Sequence, residues 1–331
     1  MPQYSSALAD SKSTVPVALR ALARWTELGL IVALLIIIIF FAMFSETFLT
    51  VRNVTNVLGQ ASLALAAGIG VAIVFISGEV DVSIGSLVAA VALPLITIMN
   101  ATNSLPLGIA GALALGLLVG IINGYLCAYL GINSLIVTLG TLFIIRGGVY
   151  LYTGQKAIPD DAALESFFQL GNGRVFEVLP YPAVIAFVLL VVFAYVMTNR
   201  PFGRQIYAVG SNPEVARLAG YDVKRIKFTC FIISALLATV AGILLASRLG
   251  SAVHVAGVGF EFQVVAATVL GGVSLSGGVG SLWGMALGVL ILSFLSNGLG
   301  MLNLATEWQL VITGLIIIAA VGFDSWKRRQ A

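Results

Sequence analysis

Apolar segments long enough to cross a lipid bilayer are the feature that most constrains this chain. A hydrocarbon core of ~30 Å requires about 20 predominantly apolar residues per helix, and such segments recur along all 331 residues. Sixty per cent of the residues are hydrophobic, so the composition lies far from that of soluble domains. The sequence therefore predicts an all-α, polytopic membrane protein with about ten transmembrane helices.

Two of the predicted segments are poor full spans. The segment at 84–99 carries Pro94, and the segment at 262–274 is short. We expect broken or re-entrant helices there, because irregular backbone at membrane depth requires surrounding protein or a cavity. The ten predicted segments are 27–45, 54–77, 84–99, 106–130, 134–152, 181–198, 228–247, 262–274, 281–299 and 307–323.

The distribution of basic residues predicts the orientation. If the N-terminus is inside, most of the 17 Lys and Arg residues fall in inside loops and tails, as the positive-inside rule requires. We expect both termini in the cytoplasm, with tails at 1–26 and 324–331 and a transmembrane domain at 27–323. The first apolar run has no small-residue cleavage site after it, which favours a retained span over a cleaved signal.

A basic loop at 199–227 contains a capped helix signal. Asn212 precedes Pro213 and Glu214, which is the order of an N-cap, a first-turn proline and an acid that complements the helix dipole. Gly220 is a C-terminal stop about two turns later. The pattern predicts a helix over 213–219. It serves either as an ordinary membrane-surface anchor or as a docking element for a cytoplasmic partner.

Several function classes lack the residues they require. The sequence has no Gly-Lys pair, which excludes the phosphate-binding P-loop. Its single histidine, His254, cannot form an H-E-x-x-H zinc site and has the character of a solvated loop residue. Cys127 and Cys230 lie in apolar segments as small buried hydrophobes. Nothing in the basic residues indicates nucleic-acid binding, and we expect neither an enzyme nor a metal site.

Glycines and a weak repeat add two structural expectations. Gly116, Gly120 and Gly124 share one helix face at a spacing that permits close helix packing in lipid. The stretches "GEVDVSIGSL" (78–87) and "GGVSLSGGVGSL" (271–282) both place glycines around a serine-containing turn before an apolar segment. Transporters are often built from repeats with broken helices at the substrate path, although two short matches do not establish a repeat.

Polar residues inside spans are costly and are candidates for function. Asp81 and Ser83 precede an apolar helix, where they can accept hydrogen bonds from the unpaired N–H groups of its first turn. We expect Asp81 to fix a helix break that lines a solute path, with direct substrate contact as the alternative. Each further candidate is either interhelical glue or part of the path: Asn123, Thr138, Arg146, Gln263 and Asn297. Arg146 can also extend to the headgroups.

Four blocks together resemble the ribose-type ABC sugar permeases. They are "SGEVDVSIGS" (77–86), "INSLIVTLGTLFIIRG" (132–147), "FGRQIYAVGSNPEVARLAGYDVKRIK" (202–227) and "VLGGVSLSGGVGSLWG" (269–284). They occur in the family's order and span about residues 45–325. The chain departs from the pattern at Glu79, usually Gly, at Ser134-Leu135, and at Tyr221-Asp222 after Gly220. Glu79 can alter the local charge and, with it, substrate preference.

The resemblance implies a multi-pass permease of the inner membrane, without its own cofactor, that carries a monosaccharide. It also implies a second permease subunit, two cytoplasmic ATPase subunits that bind the ATP, and a periplasmic sugar-binding protein. By the same resemblance, the contact with the ATPase falls on five loop residues: Gly210, Asn212, Glu214, Arg217 and Gly220. The rival interpretations are an ion-coupled secondary transporter using Glu79 or Asp81, and a channel. The resemblance leaves the sugar open among pentoses, deoxyhexoses and similar small sugars.

Overall fold

The computed structural model describes residues 17–305 together with 307, 308, 311, 312, 314, 315 and 318, and side chains from residue 27 onward. Its α-helices are α1 (Val17–Phe44), α2 (Val51–Ile76), α3 (Ile84–Ala90), α4 (Ala92–Thr102), α5 (Leu105–Gly124), α6 (Ser134–Thr153), α7 (Glu165–Asn172), α8 (Tyr181–Asn199), α9 (Pro201–Ser211), α10 (Pro213–Leu218), α11 (Val223–Leu249), α12 (Phe260–Leu270) and α13 (Leu282–Met301). A π-helical turn, Tyr125–Tyr129, extends α5. The described strands are β1 (Ile158–Pro159), β2 (Arg174–Val175), β3 (Leu179–Pro180) and β4 (Ser251–Ala252).

The predicted all-α, polytopic fold is confirmed. Within the described part of the chain, eight helical segments are long and apolar enough to cross a membrane, and α12 is a shorter apolar helix. These nine segments coincide with the first nine predicted ones. The tenth, 307–323, is described only at scattered positions, and the tail at 324–331 lies outside the described residues, as does the N-terminal part of the tail at 1–26.

The helix expected to be broken near Pro94 is interrupted inside one span. α3 ends at Ala90 and α4 begins at Ala92. Proline lacks a backbone N–H, and its ring clashes with the carbonyl four residues earlier, which accounts for a break one turn before Pro94. The other short segment, α12, is flanked by irregular backbone at both ends.

Helix α11 lies at the centre of the bundle, packed against both α2 and α5. The predicted glycine face of α5 makes one of these contacts. A Cβ atom on Gly120 would lie 2.9 Å from the Cα atom of Ile232, and one on Gly124 would lie 3.1 Å from the backbone oxygen of Phe228. The absence of side chains therefore allows the two helices to approach to backbone contact, as expected.

The long connection between α6 and α8 is more ordered than its sequence suggests. It contains α7 and the strands β1, β2 and β3. β1 pairs with β4, which follows α11, and β2 pairs with β3 in a short hairpin. This connection covers the ends of α8 and α11 on the side that the charge pattern assigns to the outside.

Candidate functional site

The backbone between α2 and α3 is held by one buried carboxylate. Asp81 Oδ1 accepts hydrogen bonds from the Ser83 backbone N–H at 3.0 Å and from Ser83 Oγ at 2.6 Å. Asp81 Oδ2 accepts a hydrogen bond from Ser234 Oγ of α11 at 2.8 Å. All three residues are buried. Both carboxylate oxygens are thus satisfied, which a buried charge requires.

The predicted capping of α3 differs in detail. Ser83 occupies the N-cap position, but its side chain makes no capping hydrogen bond. Asp81 accepts the N–H of Ser83 itself and not an N–H of the first turn of α3. The carboxylate therefore closes the turn that leads into the helix. The hydroxyl groups of Ser83 and Ser234 donate to it and hold it in that turn.

The polar network continues from Ser83 into α5 and α6. Ser83 Oγ accepts a hydrogen bond from Asn123 Nδ2 at 3.0 Å, and Asn123 Oδ1 accepts one from Thr141 Oγ1 at 2.7 Å. Thr138 lies alongside, fully buried, and donates within its own helix to the carbonyl of Ser134 at 2.8 Å. The structure thus joins α3, α5, α6 and α11 through side chains, three of which the sequence proposed: Asp81, Ser83 and Asn123.

Arg146 binds backbone carbonyls from the loop before α12 and from the first turn of α3. Its Nη1 atom donates to the Ala256 carbonyl at 2.7 Å and to the His254 carbonyl at 3.3 Å. Its Nη2 atom donates to the Gly85 carbonyl at 3.1 Å. The side chain therefore fixes the start of α3 against the loop before α12.

Glu261 is the candidate that sequence analysis missed. Its side chain is 6% exposed, and its Oε2 atom has no hydrogen-bond partner among the described residues. It lies so close to Gly85 that a Cβ atom there would overlap Oε2. An acid at the edge of an intramembrane segment is a functional candidate by default, and that signal was available next to the segment predicted at 262–274.

His254 is not the solvated loop residue that was expected. It is partly buried, its ring makes an edge contact with Tyr150 at a centroid distance of 5.9 Å, and its Nδ1 atom is buried without a partner in the described structure. Its carbonyl accepts one of the Arg146 hydrogen bonds. The difference arises because the loop before α12 folds inward against α3.

Gln263 and Asn297 lie apart from the network. Gln263 is exposed and lines a cavity of about 790 Å³, together with Gln60 and Arg248. Asn297 of α13 and Asn53 of α2 exchange two amide hydrogen bonds, at 2.9 and 3.0 Å. The amide pair joins two helices by side-chain hydrogen bonds, a kind of contact that stabilises helix association in lipid.

A second cavity, of about 590 Å³, lies where α11 begins. Glu79 and Lys227 line it and form an ion pair, with Lys227 Nζ 2.6 Å from Glu79 Oε1. Asn133 and Ser134, at the start of α6, complete part of its wall. The pair places opposite charges next to each other between the α2–α3 connection and the second turn of α11.

The basic loop folds into two helices, where the sequence predicted one. The predicted helix at 213–219 is α10, Pro213–Leu218, and the Asn212 side chain caps it by accepting hydrogen bonds from two first-turn N–H groups at 3.0 and 3.1 Å. Glu214 and Arg217 form an exposed ion pair that raises the pKa of Arg217. Gly220 has a φ angle of +88° and open space around it.

The preceding helix, α9, carries the fifth predicted coupling residue. Gly210 is buried in this helix, against the backbone of Ile76 and Gly278. The sequence placed no helix at Pro201–Ser211. Among the described residues, no group of three or more His, Cys, Asp or Glu side chains is arranged to hold a metal ion.

Comparisons with known proteins cover nearly the whole chain. Residues 53–321 match the family model described as "Branched-chain amino acid transport system / permease component". The chain is 37% identical over 325 residues to the L-arabinose transport system permease protein AraH of Escherichia coli, covering 98% of each. It is 39% identical to the L-arabinose ABC transporter permease protein AraH of Azospirillum brasilense, covering 91% of this chain and 88% of that protein. It is 34% identical to the ribose import permease protein RbsC of Escherichia coli, covering 90% and 93%.

Proposed function

This chain belongs to the permease family of monosaccharide ABC importers, and we propose that it forms the membrane conduit of such an importer, powered by ATPase subunits on separate chains. The observation that carries this proposal is the end-to-end match to a permease of L-arabinose transport, over 98% of both sequences. A pentose or a similarly small neutral sugar is the substrate class that this match favours.

The irregular backbone at Asp81 is evidence for a substrate path in this part of the bundle, where the backbone can change shape without being exposed to lipid. Transporters place discontinuous helices at the substrate path, where protein or a cavity surrounds the irregular backbone. Here Asp81 accepts three hydrogen bonds that fix the break. We assign Asp81 a positioning role, because the carboxylate has its donors within the protein and needs none from a sugar.

The cytoplasmic helices supply the contact with the ATPase. α10 is short, capped and exposed on its Glu214–Arg217 side, and it is followed by Gly220 and the Asp222 cap of α11. A rigid helix joined to a spanning helix by a short turn can transmit a displacement, whereas a flexible anchor cannot. The proposal therefore includes two ATPase subunits beneath α10, a binding protein on the opposite face and a second permease subunit.

The test is transport by the reconstituted assembly. The chain is placed in proteoliposomes with its ATPase and binding protein, and uptake of radiolabelled L-arabinose and D-ribose is measured with and without ATP. We expect concentrative uptake that requires ATP hydrolysis and is unchanged by a protonophore. Uphill uptake by this chain alone, driven by an ion gradient and abolished by the protonophore, would instead identify a secondary transporter.

A further inference from the structure

Two irregular segments that are distant in sequence meet at one point of α9. One is the connection from α2 to α3, and the other is the connection from α12 to α13. They are joined directly, since the Gly278 N–H donates a hydrogen bond to the Ile76 carbonyl at 2.9 Å. They are also the two stretches whose sequences echo each other. Gly210 of α9 lies against both of them.

At this point three glycines bring their backbones into contact. A Cβ atom on Gly277 would lie 2.7 Å from the Gly210 carbonyl oxygen and 2.8 Å from the Gly78 Cα atom. A Cβ atom on Gly210 would lie 2.6 Å from the Gly278 nitrogen. All three contacts are with backbone atoms, which cannot rotate away as a flexible side chain would. The junction therefore has no room for any side chain at Gly210 or Gly277.

A tyrosine adds a directional link between α9 and the second connection. The Tyr207 hydroxyl donates a hydrogen bond to the Gly280 carbonyl at 2.8 Å. Burial raises the pKa of Tyr207 to about 12, so the phenol remains a donor at every physiological pH. Gly280 immediately precedes Ser281, which caps α13 by accepting from the Gly284 N–H at 3.3 Å.

Each connection leads from the junction to the start of a helix inside the bundle. From Gly78 the chain reaches Asp81 and α3 within a few residues, and from Gly277 it reaches Ser281 and α13. In the other direction α9 continues through Asn212 into α10. A rigid shift of α9 therefore displaces the starts of both α3 and α13, because closely packed backbones transmit strain and leave no space to absorb the movement.

We propose that the junction of Gly78, Gly210 and Gly277 is the point at which movement of the cytoplasmic helices is transmitted to both broken-helix connections, which then open and close the path together. This inference rests on the proposed function, because the movement originates in an ATPase beneath α10. The three glycines are positioning residues. They act through α3 and α13, and none of them is required to touch the sugar.

The test compares two alanine substitutions in the same connection. Gly277 and Gly272 have nearly equal φ angles, +85° and +84°, but a Cβ atom on Gly272 meets nothing within 4 Å. Gly277→Ala and Gly272→Ala therefore place an alanine at nearly the same positive φ, and only Gly277→Ala adds a Cβ atom that separates the junction. Sugar uptake and ATP hydrolysis are measured on each reconstituted assembly, and sugar moved per ATP is compared.

We expect Gly277→Ala to lower the sugar moved per ATP by about tenfold, within the range of measured site-to-site coupling, while Gly272→Ala remains near the unaltered protein. Tyr207→Phe removes one hydrogen bond without adding an atom to the junction. It should lower the ratio several-fold and keeps the proposal testable if Gly277→Ala does not insert. If all three variants and the unaltered protein move the same amount of sugar per ATP, the role of the junction is contradicted and the proposed function is not. Absence of ATP-driven uptake in the unaltered protein would instead contradict the proposed function.

Discussion

Lys227 Nζ lies 2.6 Å from Glu79 Oε1, and so joins two residues that are 148 positions apart in the chain. The side chains are only 17% and 14% exposed. The pair connects the residue after Gly78 to the second turn of α11, beside the cavity of about 590 Å³. Glu79 is also one of the positions at which the chain departs from the sequence block that it resembles.

Breaking this pair on one side should destabilise the protein. Lys227→Met leaves a mostly buried carboxylate without its cation, at a cost of about 1–3 kcal/mol, less than for a fully buried pair because some solvent reaches it. The double variant Glu79→Gln with Lys227→Met removes both charges and should recover most of the loss. Thermal unfolding in detergent measures both. Equal destabilisation by the single and double variants would show that the charges do not interact.

Asp81→Asn should lower both stability and transport. The replacement turns one acceptor oxygen into a donor that faces the hydroxyls of Ser83 or Ser234, which leaves a buried polar group unpaired at about 1–3 kcal/mol. Thermal unfolding and sugar uptake at equal expression measure the effect. Ser62→Ala is the matched control, because Ser62 is buried but donates only to the Gly59 carbonyl of its own helix. Normal uptake and unchanged stability in Asp81→Asn would contradict the positioning role.

The positions of the apolar helices and of α10 were predictable because their signals are local. Nine apolar runs became the helices expected, and the Asn212-Pro213-Glu214 order became the N-terminus of α10. Hydrophobic length and cap chemistry are both encoded within a few consecutive residues. Pro94 similarly predicted the break between α3 and α4, because a proline cannot donate a hydrogen bond to the carbonyl one turn earlier.

The partners of the polar residues were not predictable, because they depend on packing between distant segments. Asp81 contacts Ser234, and Asn297 contacts Asn53; neither pairing leaves a trace in the neighbouring sequence. Gln263 was proposed and Glu261 was not, although only Glu261 is buried. Residues two positions apart on a helix point about 200° apart, and a short apolar helix does not indicate which face is inward.

Arg146→Lys should destabilise the start of α3 even though it conserves the charge. The guanidinium reaches three carbonyls in two segments through two nitrogens, while an ammonium is a single point donor. Loss of one or two such bonds costs about 1.5–3 kcal/mol each. The expected result is a lower unfolding temperature and reduced uptake. Arg52→Lys, on an exposed residue of α2, is the control. Retention of full stability by Arg146→Lys would show that charge alone suffices.

Substitutions at Gly220 test the basic loop at 199–227 most directly, because they change the backbone conformation without crowding neighbouring atoms. Its φ angle is +88°, and an added Cβ atom meets nothing within 4 Å. A β-branched residue strains this left-handed conformation, at about 1–2 kcal/mol, whereas asparagine adopts it more readily. Gly220→Val should therefore shift α10 relative to the Asp222 cap of α11, and lower the sugar moved per ATP while membrane insertion and ATP hydrolysis persist.

Gly220→Asn, which adds a side chain of similar size in the same open space, should remain close to the unaltered protein. The comparison uses reconstituted assemblies with matched amounts of permease, and both ATP hydrolysis and uptake are recorded. Because the two side chains are similar in size and the added Cβ atom meets nothing within 4 Å in either variant, a loss confined to Gly220→Val assigns the effect to the backbone at the turn between α10 and α11. Equal coupling in both variants would mean that the turn at Gly220 transmits no movement, and that α10 serves only as a surface anchor.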